Sequence, residues 1–302
     1  MKKYWISAVA GLLLFSGTAQ AQSKPELPKD YVAIGDSLAA GQTPERQIDA
    51  GYADLIAQEL SRNHPVDFSK ELAFPGFTTA DVLDSIQTDD AKKVLESADL
   101  ITISAGANDI LRLVQNDPKQ GALSFQQRQV DFALNEARKN METILTELSE
   151  KTPNAEVFVM GYYFAYPHVR DNQKKGTGKQ LDRLNEILER TAEKAGAVFI
   201  SVDEPFGENA ISQIPNPADV HPNTVGYQTM ANAFFDEYEE AWNVEDDELP
   251  VPNPLSFEEI MEIQDEENSE SPVDRDAKET VERPSDRSQT NYLALREMLP
   301  YS

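Results

Sequence analysis

The chain has 302 residues, an apolar fraction of 40% and a formal net charge of −26. That length and apolar content suffice for one large domain or two small ones. So acidic a chain repels nucleic acid and anionic lipid, and the lack of cysteine excludes disulfides and structural thiolate zinc sites.

Lys2 and Lys3 precede an apolar stretch from Ala8 to Phe15, closed by Ala19-Gln20-Ala21. A positive start, a short apolar run and an A-x-A site read as a secretory signal over residues 1–21, cut before Gln22. The alternative is an uncleaved anchor, for which the run falls short of a span. No cysteine follows for lipid attachment, and no later segment is long and apolar enough to cross a bilayer. The expectation is a secreted protein, held at the cell wall if held at all, with no stable membrane insertion once the signal is cut.

Residues 22–29 read as a linker. From Asp30 to about Trp242 apolar β-type runs alternate with helical patterns. The strands are expected at Tyr31–Ile34, Leu100–Ser104, Glu156–Tyr162 and Ala197–Val202, with a weaker one near Val66–Ala73. Each is nearly continuous in apolar character, as buried parallel strands are. Thr78 and Asp81, and again Ser124 and Gln127, have capping-box spacing. Three helical stripes follow: Val130, Ala133, Leu134, Ala137, Met141, Ile144, Leu145 and Leu148; then Leu181, Leu184, Leu188, Ala192 and Ala195, stopped by Gly196; then Tyr227, Met230, Ala231, Phe234, Tyr238 and Trp242. Strand–helix alternation predicts a three-layer α/β domain over 30–242. Residues 243–302 are acidic and proline-rich, and read as a disordered tail. Within it, Leu255–Ile263 has the pattern of a short helix.

Four segments carry chemistry. Gly35-Asp36-Ser37 follows the first strand, so its hydroxyl sits where an open α/β sheet binds ligands. Phe74-Pro75-Gly76-Phe77 follows the weak second strand, and Gly76 lets the backbone approach a ligand closely. Gly106-Ala107-Asn108-Asp109 follows the third, where an asparagine amide is a ready donor to a developing oxyanion. Asp219-Val220-His221 precedes the last helical stripe. Of the three histidines, only His221 has an acid nearby, and a carboxylate there fixes the tautomer of a general base. His64, in Arg62-Asn63-His64-Pro65, is expected in solvent. His168 lies at a strand's carboxyl end.

Together Gly35-Asp36-Ser37-Leu38 with Gly41, then Gly76, Gly106-Ala107-Asn108-Asp109, and Asp219 with His221 resemble, in order and kind, the blocks of the GDSL, or SGNH, family of serine esterases and acylhydrolases. The resemblance spans about residues 30–242. It implies a flavodoxin-like α/β/α fold with a parallel sheet of about five strands. It further implies Ser37 as nucleophile, His221 as base, and an oxyanion hole from the N–H groups of Ser37 and Gly76 and the side chain of Asn108. It calls for no metal and no cofactor. The family places its acid three residues before the histidine, where this chain has Ala218. Asp219 is two before, so either Asp219 completes a triad or a backbone carbonyl orients the ring of a dyad. Asp36 and Asp109 read as acids that brace turns.

The substrate implied is a carboxylic ester of a small molecule, glycan or lipid. The crevice walls are expected in 42–50, 110–123 and 162–178, with Tyr163 and His168 as substrate contacts. A non-catalytic surface protein holding a glycan or acyl ligand on this scaffold is the alternative. Nucleotide binding is disfavoured, since Gly35-Asp36-Ser37 is neither G-x-G-x-x-G nor a P-loop.

Overall fold

The computed structural model describes residues 27–256 and Glu259. The expected signal and nearly all of the tail beyond Ser256 lie outside the described residues. In chain order the strands are β1 (Asp30–Gly35), β2 (Asp67–Ala73), β3 (Leu100–Ser104), β4 (Gln115–Asp117), β5 (Ala122–Ser124), β6 (Glu156–Met160) and β7 (Val198–Ile200). The helices are α1 (Ser37–Ala40), α2 (Tyr52–Asn63), α3 (Thr79–Ile86), α4 (Asp89–Glu96), α5 (Ala107–Leu111), α6 (Gln127–Lys151), α7 (Asp171–Ala195), α8 (Asp203–Phe206) and α9 (Thr224–Tyr238).

Five strands form one parallel sheet in the order β2-β1-β3-β6-β7. All five runs read as strands are in it, and the continuous apolar character of β1 and β3 is explained by burial on both faces. On one side α6 packs against α3 and α7; on the other α2 packs against α9. The order reverses between β1 and β3, which are neighbours although β2 lies between them in sequence. This is the switch point of a flavodoxin-like sheet, where a crevice opens beyond the strand ends.

The helical stripes are buried largely as their spacing predicts. Val130, Leu134, Met141, Ile144 and Leu148 of α6, and Leu184, Leu188 and Ala192 of α7, sit in the core. Ala195 is an exception: it is exposed in the last turn of α7. The Thr78 capping box forms, with Thr78 Oγ1 accepting from Asp81 N–H and Asp81 accepting from Thr78 N–H. The one expected at Ser124 does not. Ser124 ends β5, its hydroxyl meets Gln115 across the β4–β5 hairpin (3.3 Å), and α6 starts after Gln126 without a side-chain cap. Hairpin pairing has claimed the residue.

The segment after Trp242, assigned by composition to a disordered tail, lies against the domain as far as Ser256. Val244 is buried, and its carbonyl accepts from Gln228 and Asn232 of α9. Arg62 of α2 pairs with Glu248. Leu255, expected to open a short helix, instead exchanges two backbone bonds with Ile48 (2.8 and 2.9 Å). Among the described residues no helix is long and apolar enough to cross a membrane.

Candidate active site

Gly35 ends β1 at φ +135°, beside Ser104 of β3, and a Cβ there would stand 2.0 Å from the Ser104 carbonyl oxygen. Only glycine lets the chain leave the strand at this point. Asp36 follows as the N-cap of the four-residue helix α1. Its Oδ1 accepts from Leu38 N–H (3.0 Å) and Ser104 Oγ (2.9 Å), and its Oδ2 accepts from Tyr162 Oη (2.6 Å). Burial pushes this carboxyl up, while the three hydrogen bonds oppose the rise. Asp36 therefore acts as a brace, as its sequence context predicts, but two of its three partners are distant in sequence. The far end of α1 is held by Lys70, whose buried ammonium donates to Ala40 O (3.1 Å) and to Asp54 (2.7 Å). Ser37, the first residue of α1, is thus fixed at both ends of its helix.

His221 arrives from the loop before α9. Its Nε2 lies 2.7 Å from Ser37 Oγ, and its Nδ1 lies 2.5 Å from Asp219 Oδ1. The carboxylate places the proton on Nδ1, leaving Nε2 to accept from the serine hydroxyl. Asp219 Oδ1 also accepts from the His221 backbone N–H (2.9 Å), and Oδ2 from Arg46 Nε (3.3 Å). Burial works to raise the Asp219 carboxyl, but the bonds and charge of His221, helped by Arg46, bring it below its usual value. The two-residue spacing from acid to histidine does not prevent contact, because the side chain folds back across its own short loop. A hydroxyl, imidazole and carboxylate so arranged can pass a proton away from the oxygen as it attacks.

Asn108 lies in α5, beyond β3, and donates from Nδ2 to Phe77 O (2.9 Å). That bond ties it to the turn containing Gly76. There Phe77 N–H donates to Phe74 O, Pro75 takes the second position and Gly76 has φ +85°, the pattern of a type II turn. Asp109 reaches further than a local brace. Its carboxylate accepts from Thr79 N–H (2.9 Å) and Thr79 Oγ1 (2.8 Å), joining α5 to the start of α3.

Ser37 and His221 open onto a cavity of about 80 Å³. Its walls are mainly Ile110, Leu111, Phe125, Phe164, Leu181 and Leu184, with Thr177 and Gln180 as polar members. Tyr163 lines it and also donates to Val220 O (2.9 Å), bracing the loop that carries His221. His168 is not among the lining residues; its Nε2 meets Ile214 O at 2.7 Å. Expected walls 110–123 and 162–178 contribute in part. Segment 42–50 lines none of this cavity and stands instead beside Asp219. Phe125, Leu181 and Leu184 went unpredicted as walls, since their apolar spacing reads equally well as core. Arg46 carried no sequence signal at all. His64, expected in solvent, is half-buried and bonds Pro28 O.

Residues 33–229 match the GDSL-like Lipase/Acylhydrolase family. The chain is 24% identical over 209 residues to YpmR of Bacillus subtilis (strain 168), an uncharacterized protein, covering 67% of this chain and 78% of that one. Its fold is similar to that of the lipase Lip_vut3 from a goat rumen metagenome, at 19% identity and a TM-score of 0.57, covering 68% of this chain and 96% of that one. It is also similar to a catalytic mutant of an acetylxylan esterase from Geobacillus stearothermophilus, at 18% identity and a TM-score of 0.51, covering 70% of this chain and 94% of that one. The family match covers most of the chain and takes in all four blocks, so this protein belongs to the GDSL-like lipases and acylhydrolases, the SGNH group of carboxylic ester hydrolases.

Proposed function

We propose that the protein is a secreted serine esterase that cleaves esters of apolar acyl groups through an acyl-enzyme. The observation that carries this reading is the 2.7 Å contact between His221 Nε2 and Ser37 Oγ at the mouth of an apolar cavity. His221 takes the Ser37 proton as the oxygen attacks the ester carbonyl, then returns it to the departing alcohol. Water repeats the cycle and frees the acid. Asp219 keeps the imidazole in the tautomer this requires.

The negative charge on the tetrahedral intermediate falls to the N–H groups of Ser37 and Gly76 and to Asn108. One Nδ2 hydrogen of Asn108 is committed to Phe77 O; the second serves the oxyanion. The acyl chain enters among Ile110, Leu111, Phe125 and Leu181, where burial favours each added methylene by about 0.8 kcal/mol. The alcohol part, from a small molecule, glycan or lipid, stays toward solvent. His168 takes no part in this scheme, whereas Tyr163 shapes the cavity wall.

The test is a panel of p-nitrophenyl esters graded by acyl length, run on protein lacking residues 1–21, with Ser37→Ala in parallel. The expected result is hydrolysis that improves beyond acetate and vanishes in the serine variant at unchanged thermal stability. Full activity in Ser37→Ala would overturn the mechanism. Export rests on the Lys2, Lys3 and Ala19-Gln20-Ala21 pattern, and amino-terminal sequencing of protein recovered outside the cell should begin at Gln22.

A further inference from the structure

The spacing of Asp219 and His221 dictates how the carboxylate is used. Both bonds from His221, backbone and ring, go to the single oxygen Oδ1. Oδ2 is left to face the loop between α1 and α2, where it meets Arg46 Nε at 3.3 Å. The Asp219 side chain is 5% exposed and that of Arg46 is 75% exposed, so a surface cation covers the outer oxygen of a buried acid.

Arg46 reaches this place at φ +65°, and it is the one non-glycine residue with positive φ among the described residues. An arginine is strained there and persists only where its surroundings impose it. They do so densely. Thr43 N–H donates to Gln47 O (2.7 Å), Arg46 N–H donates to Thr43 O (2.9 Å), and Thr43 Oγ1 accepts from Glu45 and Gln47 N–H (both 3.3 Å). Asn216, from the loop that carries Asp219, donates to Pro44 O (2.9 Å). Ile48 is pinned to Leu255. The loop holds its arginine in a costly backbone conformation, with its guanidinium at the acid.

We infer that Arg46 is a positioning residue for His221, acting through Asp219. By holding Oδ2 it fixes the carboxylate plane, so Oδ1 keeps its bond to Nδ1 while the imidazole gains and loses the Ser37 proton. His221 holds the carboxylate at Oδ1 alone, through its backbone N–H and its ring, and Arg46 supplies the second point of attachment at Oδ2. The inference rests on the proposed Ser37–His221–Asp219 reading. The charges around the imidazole are Asp219 beside it, Asp36 behind Ser37, and Arg46 beyond Asp219.

The experiment measures kcat and KM on a p-nitrophenyl ester, and the melting temperature, for wild type, Arg46→Gln, Arg46→Lys, Arg46→Gly and Ser37→Ala. Arg46→Gln should lower kcat about tenfold with KM within about twofold, as loss of one bond to a charged group implies. Arg46→Lys should recover much of the lost kcat. Arg46→Gly should match Arg46→Gln in kinetics while melting no lower than wild type, because glycine accepts φ +65°. Wild-type kcat in Arg46→Gln, with Ser37→Ala inactive, would overturn the role of Arg46 and leave the triad standing. Wild-type kinetics in Arg46→Gly alone would also overturn it, by assigning the loss to loop conformation. An active Ser37→Ala would instead remove the reading on which the inference rests.

Discussion

Tyr162 donates its phenolic hydrogen to Asp36 Oδ2 at 2.6 Å, joining the loop after β6 to the cap of the helix that presents Ser37. Asp36 is 1% exposed and also holds Ser104 Oγ and Leu38 N–H. Asp36→Ala strands two buried hydroxyls and one helix N–H. The loss expected is about 2–4 kcal/mol in urea unfolding, with a fall in kcat because α1 loses its cap. Tyr162→Phe removes one of the three bonds and should cost less than half as much.

Asn108→Ala should lower kcat by about 10²–10³ with little change in KM, the usual effect of losing one oxyanion donor. Gly76→Ala tests the neighbouring turn by a different route. A Cβ at Gly76 meets nothing within 4 Å. Its cost is therefore the strain of φ +85° alone, about 1–2 kcal/mol in unfolding free energy.

Glu71 on β2 has its carboxyl pushed up to about 7, first by burial and then by the charge of Asp90. The folded chain therefore holds this proton more tightly than the unfolded chain does. With respect to this group, stability is greatest below about pH 4.5, falls as pH rises toward 7, and is level above that. Glu71 is only half-buried, so solvent screening limits the effect to about 1–2 kcal/mol. Urea unfolding at pH 5 and pH 8 should show wild type losing that much relative to Glu71→Gln.

Leu111→Trp should fill part of the cavity that Leu111 lines together with Phe125 and Leu181. Esters of longer acyl chains should lose kcat/KM by tenfold or more, while acetate esters keep most of theirs. Equal losses across the series would place the acyl chain elsewhere.

Much of the fold was legible along the chain. The runs around Tyr31, Phe68, Leu100, Phe158 and Phe199 fall in the five strands, and the stripe from Val130 to Leu148 marks the buried face of α6. These signals are local: a buried strand is continuously apolar, and a packed helix repeats every three to four residues. The same local reading failed at Ser124, where a hairpin partner nine residues away decided its use. It also failed at 243–256, where acidic composition outweighed a few buried anchors such as Val244.

The sequence by itself determined the five strands of the main sheet, its three long helical stripes and the chemical inventory: one serine after the first strand, one histidine with an acid two positions away, and one asparagine between them. Only the tertiary structure decided that Ser37 and His221, 184 positions apart, stand 2.7 Å from each other. It alone turned Asp219 toward both His221 and Arg46, and made α5, α6 and α7 enclose a cavity instead of closing on themselves. Periodicity records which face of an element is apolar. Which distant element covers that face is set by sheet order and loop geometry, and these leave no repeat along the chain to read.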